Sequence, residues 1–118
     1  MRFEIRRRGV EVLEELRSYL KDRLGLALKR FARHVDLVRV YLWDVDGPRG
    51  GVSQTCRIVV EVPPRGRVIV TETDTEIRAA IAGATNRVAS SLKRHVQRRW
   101  TRRRPTLRKA RRMALEAT

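Results

Sequence analysis

Apolar residues recur every three or four positions between Thr73 and Trp100, and this spacing constrains the fold more than any other feature of the sequence. Thr73 and Glu76 have the spacing of a capping box, so the helix is expected to begin at this threonine. The spacing places one apolar stripe along a single helix face, which must be buried against a core. The stripe consists of Ile77, Ala80, Ile81, Ala84, Val88, Leu92 and Val96.

The remaining sequence supplies the elements on which this helix can pack. A first amphipathic helix is predicted over residues 10–31, and strands are predicted over residues 2–8, 38–45, 54–62 and 67–72. The order is therefore β-α-β-β-β-α, with short turns between the last three strands. It predicts an α+β fold, a two-layer sandwich whose four-stranded, mostly antiparallel sheet carries both helices on one face.

The composition changes after Trp100, where the chain becomes strongly basic. Pro105 lacks an amide hydrogen and is expected to break the helix. The residues that follow have only weak helical spacing and bury too little apolar surface to offset their ordering entropy. We therefore expect one domain over residues 1–100 and a mobile, arginine-rich tail over residues 101–118 that orders on a partner.

The net charge of +15 is the dominant compositional feature, and it is unevenly distributed. Residues 77–118 hold 13 basic side chains and one acidic side chain. Only four of the 28 basic residues are lysines, and the planar guanidinium of arginine binds phosphate oxygens two at a time. A solvated basic surface is the alternative interpretation, but one-sided clustering favours a polyanionic partner.

The sequence offers very few residues for catalysis or metal binding. Cys56 is the single cysteine and occupies an inward position of a predicted strand, where a buried, inert thiol is expected. The two histidines, His34 and His95, have no metal-binding spacing, and His95 falls either at the core edge or against a phosphate. The glycine-rich loop over residues 47–51 lacks the Lys-Ser/Thr of a P-loop and is predicted to be a turn. We therefore predict no enzyme, no metal site and no cofactor.

Targeting signals are also missing from the sequence. It has no long apolar run that could span a membrane, and its charged beginning does not resemble a signal peptide. A single cysteine suits a reducing compartment. We expect a cytoplasmic protein.

The basic residues of the last helix form one constellation. Arg87, Arg94 and Arg98 are spaced by seven and four residues, so they share one side of the helix. No acidic residue occurs between Ile77 and Leu115 to form pairs along the helix, so these cations repel one another unless a polyanion binds. Few aromatic residues are available for stacking, which favours recognition of RNA backbone and shape over sequence.

The segment from Glu76 to His95, EIRAAIAGATNRVASSLKRH, resembles the second helix of the ribosome hibernation-promoting factor family. This family includes the ribosome-associated inhibitor, and its members are also labelled sigma-factor modulation proteins. The segment from Val10 to Phe31 is similar to the family's first helix. The positions that match the second-helix pattern are Glu76, Ala79, Ala80, Ile81, Arg87, Leu92, Lys93, Arg94 and His95. Ala82 and Asn86 depart from it, since they stand at acidic positions.

The resemblance implies the same β-α-β-β-β-α sandwich, which is similar to double-stranded RNA-binding domains. It also implies that the basic edges of the helices lie on small-subunit ribosomal RNA in the channel for messenger and transfer RNA, which blocks translation in resting or stressed cells. The chain matches a short form without the ribosome-pairing domain of longer members, and a monomer is expected. The predicted RNA-binding residues are Arg23, Lys29, Arg30, Arg87, Lys93, Arg94, His95, Arg98, Arg99, Arg102, Arg103 and Arg104.

Two other functions use the same features. A general structured-RNA-binding or ribosomal-protein-like module would employ the same surface and fold. A transcription modulator, as the sigma-factor label suggests, would act through protein contacts instead.

Overall fold

The chain folds in the predicted order β-α-β-β-β-α. A computed structural model describes residues 2–46, 52–64 and 66–116, with the backbone alone for Asp46, Val52 and residues 99–116. The strands are β1 (Arg2–Arg8), β2 (Leu37–Asp46), β3 (Val52–Glu61) and β4 (Arg67–Asp74). The helices are α1 (Glu14–Leu28), followed by a 3₁₀ helix (Lys29–His34), and α2 (Ile77–Glu116).

The four strands form one sheet in the order β1-β2-β3-β4. The α1 connection returns β2 parallel to β1, with Phe3 beside Val38. The pairs β2–β3 and β3–β4 are antiparallel, with Val40 beside Ile58 and Ile58 beside Val70. The predicted fold class, a mostly antiparallel sheet with two helices on one face, is confirmed.

The core lies between the inward face of the sheet and one stripe of each helix. Period-two alternation on β2 and β3 directs apolar side chains toward the helices. The helix stripes follow the three- and four-residue spacing that the sequence predicts. Residues with no measurable exposure include Leu20, Leu28, Val38, Val40, Cys56, Ile58, Val60, Ile81, Ala84, Val88 and Leu92.

The first helix is shorter than predicted. It begins after Leu13, which has extended backbone angles and makes no side-chain cap hydrogen bond. Residues 10–13 instead form the connection that follows a turn at Gly9, where φ is +71°. After Leu28 the helix tightens into 3₁₀ geometry, as is common at helix ends.

Gly25 is exposed in the interior of α1, and replacing it with alanine should stabilise the protein. A Cβ at this position would meet no atom within 4 Å. We expect Gly25→Ala to raise the free energy of unfolding by about 0.5–1 kcal/mol, because glycine loses more backbone entropy in a helix. Urea denaturation measures the change. Gly9→Ala is the control and should destabilise the protein. The backbone at position 9 has a positive φ, and a Cβ added there would lie 3.3 Å from Cβ of Asp44.

The start of α2 differs from the predicted capping box. Thr73 belongs to β4, where its Oγ1 lies 3.0 Å from Oγ1 of Thr55. The carboxylate of Asp74 accepts hydrogen bonds from the Glu76 amide at 3.2 Å and the Thr75 hydroxyl at 3.3 Å. The prediction of a Thr73 cap is wrong because pairing with β3 extends β4 through Asp74, so the helix begins at Ile77.

The end of α2 also differs from the prediction. The helix continues through Pro105 to Glu116, a length of 40 residues or about 60 Å at 1.5 Å per residue. The predicted helix break at Pro105 is therefore wrong. A proline inside a helix removes only one backbone hydrogen bond, and a long helix can continue past it. The mobility of residues 101–118 stays a prediction. In the described part of the chain, no helix is both long and apolar enough to cross a membrane.

Candidate nucleic-acid interface

A basic cleft lies where the outer edge of the sheet meets α2. Arg94 and Arg98 stand one turn apart on α2, and Arg67 is the first residue of the edge strand β4. The cleft has a volume of about 250 Å³ and is lined by Arg67, Val68, Ile69, Ser91, Arg94, His95 and Arg98. We call it the α2–β4 cleft, and three arginines line it.

The helix arginines of the α2–β4 cleft are not neutralised. Arg94 donates a hydrogen bond to the Ser91 hydroxyl at 3.3 Å, and neither Arg94 nor Arg98 has an ion pair among the described residues. Arg67 does have one, with its Nε 3.0 Å from Oε1 of Glu61. The cleft therefore keeps an excess positive charge that an anion can satisfy.

His95 is the half-buried histidine of the α2–β4 cleft. Its ring is half-buried, and its Nε2 is shielded from solvent with no hydrogen-bond partner among the residues described. A Cβ on Gly66 would lie 2.5 Å from this atom, so the turn between β3 and β4 closes over the ring. His95 thus sits at the core edge while lining the cleft.

Arg87 has a carboxylate partner, contrary to the expectation for the constellation. Its Nη1 lies 2.7 Å from Oε1 of Glu72 and donates to the carbonyl of Thr71 at 2.9 Å. The prediction that Arg87 is unpaired is wrong because helix spacing indicates only partners on α2, whereas Glu72 lies on β4. Arg87 ties α2 to the edge strand.

Arg23 lies in a second place, the groove between α1 and α2. Its guanidinium donates to Oγ1 of Thr85 and to Oδ1 of Asn86, both at 3.2 Å. Lys93 is exposed and stands seven residues after Asn86, on the same side of α2. The groove is lined by Arg23, Leu26, Ala27, Thr85, Asn86 and Ala89.

The predicted RNA-binding set is therefore divided among separate places. Arg94, His95 and Arg98 meet in the α2–β4 cleft, and Arg23 lies in the groove on the other flank of α2. Lys29 and Arg30 are exposed on the 3₁₀ helix. The side chains of Arg99, Arg102, Arg103 and Arg104 lie outside the described part of the chain, as does the loop over residues 47–51.

A sequence model of the family described as "Sigma 54 modulation protein / S30EA ribosomal protein" matches residues 3–100. The chain belongs to this family. The family resemblance found in the sequence is thereby confirmed. A search of curated proteins produced no match.

Two solved structures have a fold similar to that of this S30EA-family chain. The N-terminal domain of Thermus thermophilus Protein Y is 25% identical, with a TM-score of 0.66, and the alignment covers 80% of this chain and 99% of that one. A ribosomal subunit interface protein from Coxiella burnetii is 10% identical, with a TM-score of 0.69, and the alignment covers 82% of this chain and 99% of that one. At 10% identity the second likeness concerns the fold alone.

Two polar residues of the α2–β4 cleft in this S30EA chain were not predicted from the sequence. Arg67 is the first residue of β4, directly after the turn that connects β3 to β4. Ser91 lies three residues before Arg94 on α2. Spacing along α2 could have indicated Ser91. No local signal indicates Arg67, because only the packing of α2 on β4 brings it to the cleft.

Cys56 takes no part in a site. No group of three or more His, Cys, Asp or Glu side chains that could hold a metal occurs in the described ranges. Burial in the core, together with the nearby carboxylate of Glu72, raises the pKa of the Cys56 thiol to about 12. The thiol is therefore protonated at neutral pH and poorly nucleophilic.

The raised pKa of Cys56 predicts a loss of stability in alkali. In the unfolded chain the thiol ionises near pH 9, whereas in the folded chain it ionises only near pH 12. The contribution of the buried thiol to the free energy of unfolding is complete below pH 9 and falls by about 1.4 kcal/mol per pH unit above pH 9. Urea denaturation of wild type and Cys56→Ala should show their stability difference shrinking between pH 9 and 11. A constant difference would contradict the burial of the thiol.

Proposed function

We propose that this protein is a non-enzymatic, cytoplasmic ribosome hibernation factor. It docks as a monomer on small-subunit ribosomal RNA in the channel for messenger and transfer RNA and inhibits translation under stress. The observation that carries the proposal is the α2–β4 cleft, in which Arg94 and Arg98 have no ion pair among the described residues. Membership of a family described by a ribosomal protein name supports the ribosome as the polyanion.

The geometry of α2 suits a folded RNA backbone. Arg94 and Arg98 lie on the flank that faces β4, and Arg23 with Lys93 lies on the flank that faces α1. Cations on both flanks can contact two neighbouring phosphate runs while the helix lies between them. Guanidinium–phosphate hydrogen bonds are charge-assisted and often bidentate, so each contact also orients the protein.

Binding to purified small ribosomal subunits tests the proposal. Co-sedimentation at low salt is expected, together with inhibition of translation in a cell-free system. If six to ten phosphates are contacted, the affinity should fall by about 10³–10⁵ between roughly 50 and 200 mM salt. Protein that stays in the supernatant at low salt would contradict the proposal.

The alternatives predict different results in the same assay. The cleft is suited to RNA backbone, which is the observation that supports a general structured-RNA-binding module. Such a module would bind an unrelated duplex RNA as tightly as the subunit. A transcription modulator, suggested by the family description, would retain a protein partner after nuclease treatment. A ribosome-binding factor prefers the subunit to duplex RNA and loses its partner when the RNA is digested.

A further inference from the structure

The face of the sheet opposite the helices carries a cluster of aromatic and arginine side chains. Tyr41 and Trp43 alternate along β2 with the buried residues Val40 and Leu42, so their side chains point to this open face. Arg6 and Arg8 of β1 stand beside them in the parallel register, and Arg57 of β3 stands beside Tyr41. We call these five residues the aromatic platform.

Contacts across strands hold the centre of the aromatic platform in place. The guanidinium of Arg57 lies 5.4 Å from the centroid of the Trp43 ring. Its Nε also donates to Oγ1 of Thr71 on β4 at 3.2 Å. The guanidinium plane is thus supported on two sides, while Tyr41 and Trp43 keep part of their surface open to solvent.

The charge of the open face is positive after its own acids are counted. Glu4 lies 3.3 Å from Nε of Arg39, and Glu61 pairs with Arg67 at 3.0 Å. These carboxylates are therefore already engaged. Arg6 and Arg8 are exposed, and no ion pair involves them within the described ranges.

We infer that the aromatic platform binds unpaired, single-stranded RNA. Bases stack on aromatic rings and on guanidinium planes. Arg57 lies over the Trp43 ring and stands beside Tyr41, so the face offers both kinds of surface. Arg6 and Arg8 lie where phosphates can meet them. A second copy of this chain fits poorly, since its charge of +15 would place like charges against each other. The choice of RNA rests on the proposed function.

The aromatic platform is separate from the α2–β4 cleft. The platform lies on β1, β2 and β3 on the open face of the sheet, whereas the cleft lies between α2 and β4. The protein can therefore hold folded RNA along its helices and a single strand across its sheet. This division assigns a ligand to a face that the predicted RNA-binding residues do not include.

Fluorescence of Trp43 tests this inference directly. In a Trp100→Phe background, Trp43 is the one remaining tryptophan. Titration with a single-stranded oligouridylate of about twelve nucleotides should quench its emission, because stacked bases contact the ring. In anisotropy measurements with labelled oligouridylate, Trp43→Leu should weaken binding by about tenfold or more, and Trp43→Phe should retain most of the affinity.

Two controls separate this inference from the proposed function. Leu13→Ala removes an exposed aliphatic side chain that lies outside both the aromatic platform and the α2–β4 cleft, and it should leave oligouridylate binding unchanged. The double variant Arg94→Glu, Arg98→Glu should lose the small subunit but still show quenching of Trp43 by oligouridylate. Unchanged Trp43 emission on titration, or wild-type affinity for oligouridylate in Trp43→Leu, would overturn the inference that the platform binds RNA. Binding to the small subunit is measured separately and tests the α2–β4 cleft. Self-association of the protein that Trp43→Leu abolishes would assign the face to a second copy and also overturn it.

Discussion

Reversing Arg94 and Arg98 to glutamate is expected to abolish binding to small ribosomal subunits while the fold stays intact. Both side chains are exposed on α2 and have no ion pair in the described part of the chain, so their loss leaves no buried charge. Hydrogen bonds to charged groups contribute about 1.5–3 kcal/mol each. Loss of two such contacts predicts a roughly 10²–10⁴-fold weaker complex, before repulsion from the new carboxylates is added.

Controls for this charge reversal are available on the same molecule. Arg17→Glu with Lys21→Glu changes the net charge equally at exposed positions of α1 outside the cleft, and should weaken binding far less. Arg87→Glu breaks the pair with Glu72, so its effect should fall mainly on stability, by up to about 1 kcal/mol. Sedimentation with subunits and circular dichroism measure the two effects. Equal loss of binding in the α1 variant would show that net charge alone drives association.

Replacing Ile81 with aspartate is expected to unfold the domain. Ile81 has no exposed surface and packs in the core between α2 and the sheet. An unpaired carboxylate there would cost several kcal/mol, and the lost burial of isoleucine adds about 2 kcal/mol. The sum is comparable with the whole stability of a domain of this size.

Far-UV circular dichroism and urea denaturation measure the effect of Ile81→Asp. Ser90→Asp introduces the same carboxylate at an exposed position of the same helix and should remain folded. A cooperative unfolding transition in Ile81→Asp with wild-type midpoint would show that the apolar stripe of α2 does not form the core.

Periodicity predicts the elements of this fold well, because the apolar stripes and alternating strands report directly on burial. The stripe of α2 and the inward positions of β2 and β3 were predictable for this reason. The boundaries of the elements were not predictable, because a residue near a boundary can join either the helix or the neighbouring strand, and contacts with other elements decide between them. Thr73 has the sequence of a helix cap, but β3 pairs with this segment and draws it into β4.

The candidate site shows the same division between helix spacing and tertiary packing. Arg94 and Arg98 were predictable because a four-residue interval places them on one side of α2. Arg87 shares that side but is neutralised by Glu72, and Arg67 enters the cleft from β4. Spacing within one helix cannot reveal a partner on another element, so the ion pair was missed and Arg67 was overlooked.

A density map of the protein bound to the small ribosomal subunit tests the central claim most directly. The account predicts ribosomal RNA phosphates within hydrogen-bond distance of the guanidinium groups of Arg94 and Arg98, with α2 lying against the RNA backbone in the channel for messenger and transfer RNA. A map in which the α2–β4 cleft faces solvent, or in which the protein binds only ribosomal proteins, would contradict it.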